Sequence, residues 1–229
     1  MCGWSELIFG SMYCGKSEEL IRRLKRARIA GQTYQLFKPA VDSRYDQNQV
    51  STHEYGEVRR KVETIVEVHL NNGEEPTELV AELTRQLSGS MQAVVVQNSA
   101  ELLAQVDWKA NVIGIDEVQF FDDGLLKVVE HLVAKGKRVV MAGLDMYSSG
   151  EPFGIVPVLA CKAKYVDKLH AVCVDCGREA YISYKIDNGA ANRESTVDVG
   201  SVDKYVALCE KCSRRRSESG GKELELFES

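Results

Sequence analysis

Two patterns of apolar residues take turns along the chain. Short, nearly unbroken apolar runs at residues 4–9, 34–38, 93–96, 111–115 and 137–142 read as buried strands. Between them lie stretches with helical spacing. Residues 17–30 carry Leu20, Ile21, Leu24 and Ala27 on one face, and Gly31 is placed to end that helix. A second helix is expected over 124–134, capped by Asp122 or Asp123 and closed by Gly136, and Ser99 is placed to cap a short one through Val106. Strands alternating with helices predict an α/β fold, a parallel sheet with helices on both faces. Residues 54–90 interrupt the alternation with mixed charge, a turn signal at Asn71-Asn72-Gly73 and one helix-like stretch bearing Leu79, Leu83 and Leu87. They read as an insertion. Beyond about residue 168 the pattern changes to cysteine pairs, short strands and glycine. Residues 213–229 are polar, include Arg214-Arg215-Arg216 as a solvated run, and read as a disordered tail.

Chemistry enters at the first strand–helix junction. Gly10-Ser11-Met12-Tyr13-Cys14-Gly15-Lys16-Ser17 matches G-x-x-x-x-G-K-S, a phosphate-binding loop in the strand–loop–helix context that such a loop needs. The glycines let backbone N–H groups converge on a phosphate, and the helix start adds its positive end. Lys16 is placed for the outer phosphates and Ser17 for magnesium, so the chain is expected to bind a nucleoside triphosphate. Asp116 ends the apolar run 111–115, where a carboxylate holds the metal or its water shell. Glu117, expected on the opposite side of the pleat, is a candidate general base toward an acceptor hydroxyl. Asp42 and Arg44, at the carboxyl end of the second strand, are candidates for phosphate chemistry or a surface ion pair. Two C-x-x-C pairs, Cys173/Cys176 and Cys209/Cys212, together supply four thiolates for a closed, structural zinc site. Residues 177–208 between them exceed what a compact zinc ribbon needs, so the metal is expected to pin the base of a long loop. A redox dithiol is the rival reading for one pair alone. Cys2, Cys14 and Cys161 read as free thiols, and the four histidines show no ligand spacing.

Composition narrows the class. In 229 residues, 44% hydrophobic and 28% charged, there is room for one core and a smaller module, typical of a soluble protein. No apolar run reaches membrane-spanning length and residues 1–16 lack a secretory pattern, which points to the cytosol. A formal net charge of −5 argues against a general nucleic-acid binder.

These residues together resemble the type II (cytosolic, zinc-containing) thymidine kinases. Beyond the phosphate loop and cysteine pairs, the resemblance rests on Lys38-Pro39-Ala40-Val41-Asp42-Ser43-Arg44-Tyr45, Ile115-Asp116-Glu117-Val118-Gln119-Phe120-Phe121, Ala142-Gly143-Leu144-Asp145, Pro152-Phe153-Gly154 and Asp203-Lys204-Tyr205. It covers residues 3–212 apart from the insertion. It implies transfer of the γ-phosphate of ATP to the 5′-hydroxyl of thymidine with magnesium, in nucleotide salvage for DNA synthesis. Glu117 would be the base. Residues 10–17 with Asp42, Arg44, Asp116 and Gln119 would form the ATP and metal set. Phe120, Leu144, Tyr147, Ser148, Ser183 and Tyr205 would line the nucleoside, and the backbone of Thr196, Val197, Asp198, Val199 and Gly200 would read the base. Ser148 stands where the family carries a stacking phenylalanine, and Tyr147 is the neighbouring ring that would replace it. The implied architecture is a P-loop α/β domain over 1–168, a zinc-anchored lasso domain over 169–212 and the tail. A homotetramer inhibited by thymidine triphosphate is also implied. Two other classes fit the residues less well. The stretch Asp116-Glu117-Val118-Gln119 also resembles a helicase acidic box, but a helicase needs a second ATPase-like domain. A non-catalytic zinc module has no use for intact Lys16, Ser17, Asp116 and Glu117.

Overall fold

The computed structural model describes residues 2–41, 49–50, 91–186 and 204–218. The insertion at 54–90, Asp42, Arg44, residues 196–200 and 219–229 lie outside the described residues.

The strands are β1 (Trp4–Gly10), β2 (Tyr34–Pro39), β3 (Gln49–Val50), β4 (Met91–Gln92), β5 (Val94–Val96), β6 (Val112–Ile115), β7 (Arg138–Leu144) and β8 (Tyr165–Leu169). Interleaved with them are α1 (Lys16–Ile29), α2 (Ser99–Ala104), α3 (Gly124–Ala134) and α4 (Val156–Lys162). Six strands form one sheet in the order β5-β2-β6-β7-β1-β8, and every neighbouring pair is parallel. The period-2 alternation of a strand explains how both faces are covered. Ile8, Val112, Val140 and Ala142 face Leu20, Ile21, Leu24 and Ala27 of α1. Their neighbours Leu7, Ile113, Ile115, Val139 and Met141 face Leu125, Val128, Val129 and Leu132 of α3 and Val156 and Leu159 of α4. The α/β class and parallel sheet are as the sequence predicts. Strand β8, an exposed edge strand, and the short α4 are additions to that reading.

The helix caps differ in one detail. Asn98, not Ser99, caps α2, its Oδ1 accepting the Glu101 N–H at 2.9 Å. Ser99 is already helical, and its N–H and Oγ–H both donate to Asp122, at 2.8 and 2.7 Å. Asp122 also accepts the Gly124 N–H at 2.9 Å, so one carboxylate joins the starts of α2 and α3. These bonds, the Ser99 N–H foremost, hold its carboxyl below the usual range. Asp122→Ala is expected to destabilise the fold by about 1–2 kcal/mol at pH 7. Because the folded value is depressed, the contribution is complete above the unfolded value of about 3.9 and is lost as pH falls through the lower folded value. Denaturant midpoints of parent and variant should therefore differ at pH 7 and converge in acid. Equal midpoints at pH 7 would contradict the bridge.

The C-terminal module contains two small hairpins, β9 (Ala171–Val172) with β10 (Glu179–Ala180) and β11 (Ile182–Lys185) with β12 (Tyr205–Leu208), followed by α5 (Glu210–Glu218). Its core is Ala171, Cys173, Ala180, Ala207, Leu208 and Cys212. Helix α5 corrects the expected tail, because residues 213–218 are helical. It also corrects the solvated arginine run. Arg216 Nε donates to Asp175 at 3.0 Å, Arg215 lies 3.6 Å from the same carboxylate, and Arg214 pairs with Glu210 one turn back. A charge run looks solvated in sequence, but here it fastens α5 to the first cysteine knuckle. No helix among the described residues is long and apolar enough to cross a membrane.

Candidate active site

The phosphate loop leaves β1 at Gly10, whose φ of 151° suits glycine. A Cβ there would stand 2.2 Å from the Leu169 carbonyl oxygen, so β8 also excludes any other residue. The loop passes through Tyr13 at φ 65° and turns into α1 at Gly15, φ 82°. Lys16 Nζ donates to the Ser11 carbonyl at 2.6 Å and lies 3.7 Å from Cys14 Sγ. Burial pushes the Cys14 thiol up, against the opposing pull of Lys16. Ser17 Oγ donates to Asp116 Oδ2 at 2.9 Å, which joins the loop to the end of β6.

Asp116 is buried, and its Oδ1 accepts the Glu117 N–H at 2.9 Å. Glu117 departs from the sequence expectation. β6 stops at Ile115, and Glu117 turns by a left-handed backbone (φ 49°, ψ 45°) into a 3-10 turn over Val118–Phe120, not by alternation across a pleat. Among the described residues, Tyr13 and Glu117 are the non-glycine positions with positive φ, and both lie at the carboxyl end of the sheet. Such conformations cost on the order of 1–3 kcal/mol each and persist where the surroundings enforce them. Glu117 Oε2 accepts a short hydrogen bond from Gln119 Nε2, while Gln119 Oε1 accepts the Leu144 N–H at 3.0 Å. Buried Gln119 therefore links the Glu117 carboxylate to the end of β7.

Beyond β7 the chain folds back on itself. Tyr147 N–H donates to the Glu151 carbonyl at 2.9 Å and Phe153 N–H to the Asp145 carbonyl at 2.9 Å. That return stacks Tyr147 on Phe153, with centroids 3.8 Å apart, while Phe120 meets Phe153 edge-on at 5.9 Å. Ser148 is exposed in the turn, and Tyr147 is the ring that stacks on Phe153. Asp145 is buried, with Lys168 Nζ 3.0 Å from Oδ2 as an ion pair whose angle falls short of a hydrogen bond.

The four cysteines converge. The sulfurs of Cys173, Cys176, Cys209 and Cys212 all lie within 4.8 Å of one another, and Cys176 Sγ is 3.6 Å from Cys209 Sγ. Tetrahedral zinc with bonds of about 2.3 Å needs sulfurs roughly 3.8 Å apart, so the set fits that ion. The Arg178 N–H, followed by the neighbouring thiols, brings Cys176 down to about 6. Burial first, then the other thiols, pushes Cys212 up to about 12. A divalent cation is the natural partner for such a crowded set of sulfurs.

A family model for thymidine kinase matches residues 3–82 and 80–213. Thymidine kinases of two strains of Porphyromonas gingivalis are 39% identical over 218 residues, spanning 94% of this chain and 87% of theirs. The chain belongs to the thymidine kinase family. Among solved structures, a DNA replication initiation factor and the replication initiator DnaA bound to AMPPCP and single-stranded DNA align at TM-scores of 0.34 and 0.35 and 12% identity. The chain spans 40% of the length of either one.

As a thymidine kinase family member the chain is an enzyme, and kinase chemistry implies ATP. Its structure brings Ser17, Asp116, Glu117 and Gln119 into one hydrogen-bonded path, and Phe120, Tyr147 and Phe153 into one aromatic group. Phe153 is absent from the sequence-based site set, although the Pro-Phe-Gly motif contains it. Ser183 is buried, and its hydroxyl accepts the Met12 N–H at 2.9 Å beneath the phosphate loop. It keeps its own proton for another acceptor. Tyr205 offers its carbonyl to Tyr13 Oη at 3.0 Å.

Proposed function

We propose that this thymidine kinase family member transfers the γ-phosphate of ATP to the 5′-hydroxyl of thymidine, giving ADP and thymidine monophosphate. The observation that carries the reading is the path Ser17–Asp116–Glu117–Gln119–Leu144. It runs from the phosphate loop to the strand end that leads into the aromatic group. A carboxylate held between those two places suits proton removal from an acceptor hydroxyl. In that step the bond from O5′ to phosphorus forms, the bond from the γ-phosphorus to the β-phosphate oxygen breaks, and the hydroxyl proton goes to Glu117. Lys16 and the loop amides hold the phosphates.

Magnesium fits the adjacent Ser17 and Asp116 oxygens, which are the hard donors such an ion takes. When bound it would neutralise charge on the transferred group. Asp42 and Arg44 are assigned to the phosphates and residues 196–200 to reading the base, by resemblance. Phe120, Tyr147 and Phe153 would wall the base, with Leu144, Ser183 and Tyr205 near the nucleoside. The exposed edge strand β8 supports self-association, and the family expectation is a homotetramer inhibited by thymidine triphosphate in the cytoplasm.

Tyr147→Ala tests the base wall. Losing a stacked ring is expected to raise KM for thymidine roughly 2- to 12-fold. KM for ATP should hold. Steady-state kinetics with each substrate varied in turn checks this, and an unchanged thymidine KM would remove Tyr147 from the wall.

A further inference from the structure

Three successive residues of the phosphate loop are tied to the C-terminal module. Ser11 Oγ donates to the Ala180 carbonyl at 3.4 Å, Met12 N–H to Ser183 Oγ at 2.9 Å, and Tyr13 Oη to the Tyr205 carbonyl at 3.0 Å. Cys14, the next residue, packs against the core that contains Cys173 and Cys212. The partners lie on β10, β11 and β12, between 169 and 192 residues away in sequence. The Ser11 bond is the most protected, because Ser11 and Ala180 are both buried, and the Met12 bond is sheltered on one side by buried Ser183. The loop also carries the left-handed Tyr13, a conformation its own sequence does not favour.

A glycine-flanked loop left to itself would sample many shapes, and ATP would have to order it on binding. A loop already fixed from outside at residues 11, 12 and 13 binds with less entropy lost. We infer that Ser183 and Tyr13 are positioning residues for ATP: through them the cysteine module holds the phosphate loop in its binding shape. ATP affinity, and not only acceptor binding, then depends on the β11–β12 hairpin. This rests on the proposed ATP site and assigns the module a second task at it.

The test is calorimetric titration of the full chain with AMP-PNP and magnesium, without nucleoside, for the parent, Ser183→Ala, Ser183→Thr and Tyr13→Phe. Losing one hydrogen bond is expected to weaken Kd roughly 3- to 10-fold in Ser183→Ala and about 2- to 5-fold in Tyr13→Phe. Ser183→Thr keeps the hydroxyl and should restore the parent's affinity, which a merely structural loss would not explain. Tyr13 is on the surface, 36% exposed, so its variant should fold even if Ser183→Ala does not. Parent-like affinity in Tyr13→Phe and in a folded Ser183→Ala overturns the inference while leaving the ATP site standing. A parent that binds no AMP-PNP overturns both.

Discussion

Glu117→Gln should retain ATP binding and lose most of its turnover. The amide preserves the side chain's size and can still meet Gln119, so the left-handed turn and the link to Leu144 survive. What disappears is a group able to accept the 5′-hydroxyl proton. General base catalysis is worth about 10²- to 10⁴-fold, so kcat should fall by that factor while Kd for AMP-PNP stays within about 3-fold. Single-turnover transfer to thymidine reads the chemical step directly. Full activity in the variant would remove Glu117 as the base. A matching loss of ATP affinity would move it into the metal and phosphate set with Asp116.

Cys173→Ser should cost the module its metal and its fold. Among the described residues, Cys173 is buried in a core of six small or apolar side chains, two of them from the cysteine set. So small a core has little hydrophobic stability of its own. Zinc sites of this kind supply about 10–16 kcal/mol in isolated zinc-finger peptides, and there binding and folding are one event. Zinc content is expected to drop from about one ion per chain toward zero, and limited proteolysis should cut first between β9 and α5. Zinc content equal to the parent's would contradict the four-sulfur site. The α/β sheet should persist, because its core lies elsewhere.

What the sequence makes legible follows what chemistry leaves little freedom to vary. Residues 10–17 are recognisable because a phosphate-cradling loop needs glycine where φ is positive and lysine and serine at the helix start. The four cysteines are recognisable because metal geometry dictates their pairing. The nearly unbroken apolar runs of β1, β6 and β7 announce a sheet covered on both faces. Features that depend on contacts remote in sequence are harder to see. The turn at Glu117 is invisible because strand alternation is the default after an apolar run, and its contacts, Asp116 on the backbone N–H and Gln119 on the carboxylate, appear only in the structure. Strand β8 escapes because an exposed edge strand lacks an apolar run, and α4 because it is short and has a proline in its first turn. Asp175 gives the arginines of α5 a partner that local reading cannot supply. The bond from Met12 to Ser183 spans 171 residues and has no sequence signature at all. Phe153 is the exception, since its Pro-Phe-Gly motif is visible but its stacking on Tyr147 is not.

The central claim is that the path from Ser17 to Leu144 delivers phosphate to a thymine nucleoside. The most direct measurement is label transfer from γ-labelled ATP to thymidine, deoxyuridine, deoxycytidine or no acceptor, run in parallel with magnesium. The account predicts strong formation of labelled thymidine monophosphate, little product with deoxycytidine and little release of phosphate without acceptor. Phosphate release that is independent of any nucleoside, with no labelled nucleotide formed, would contradict it.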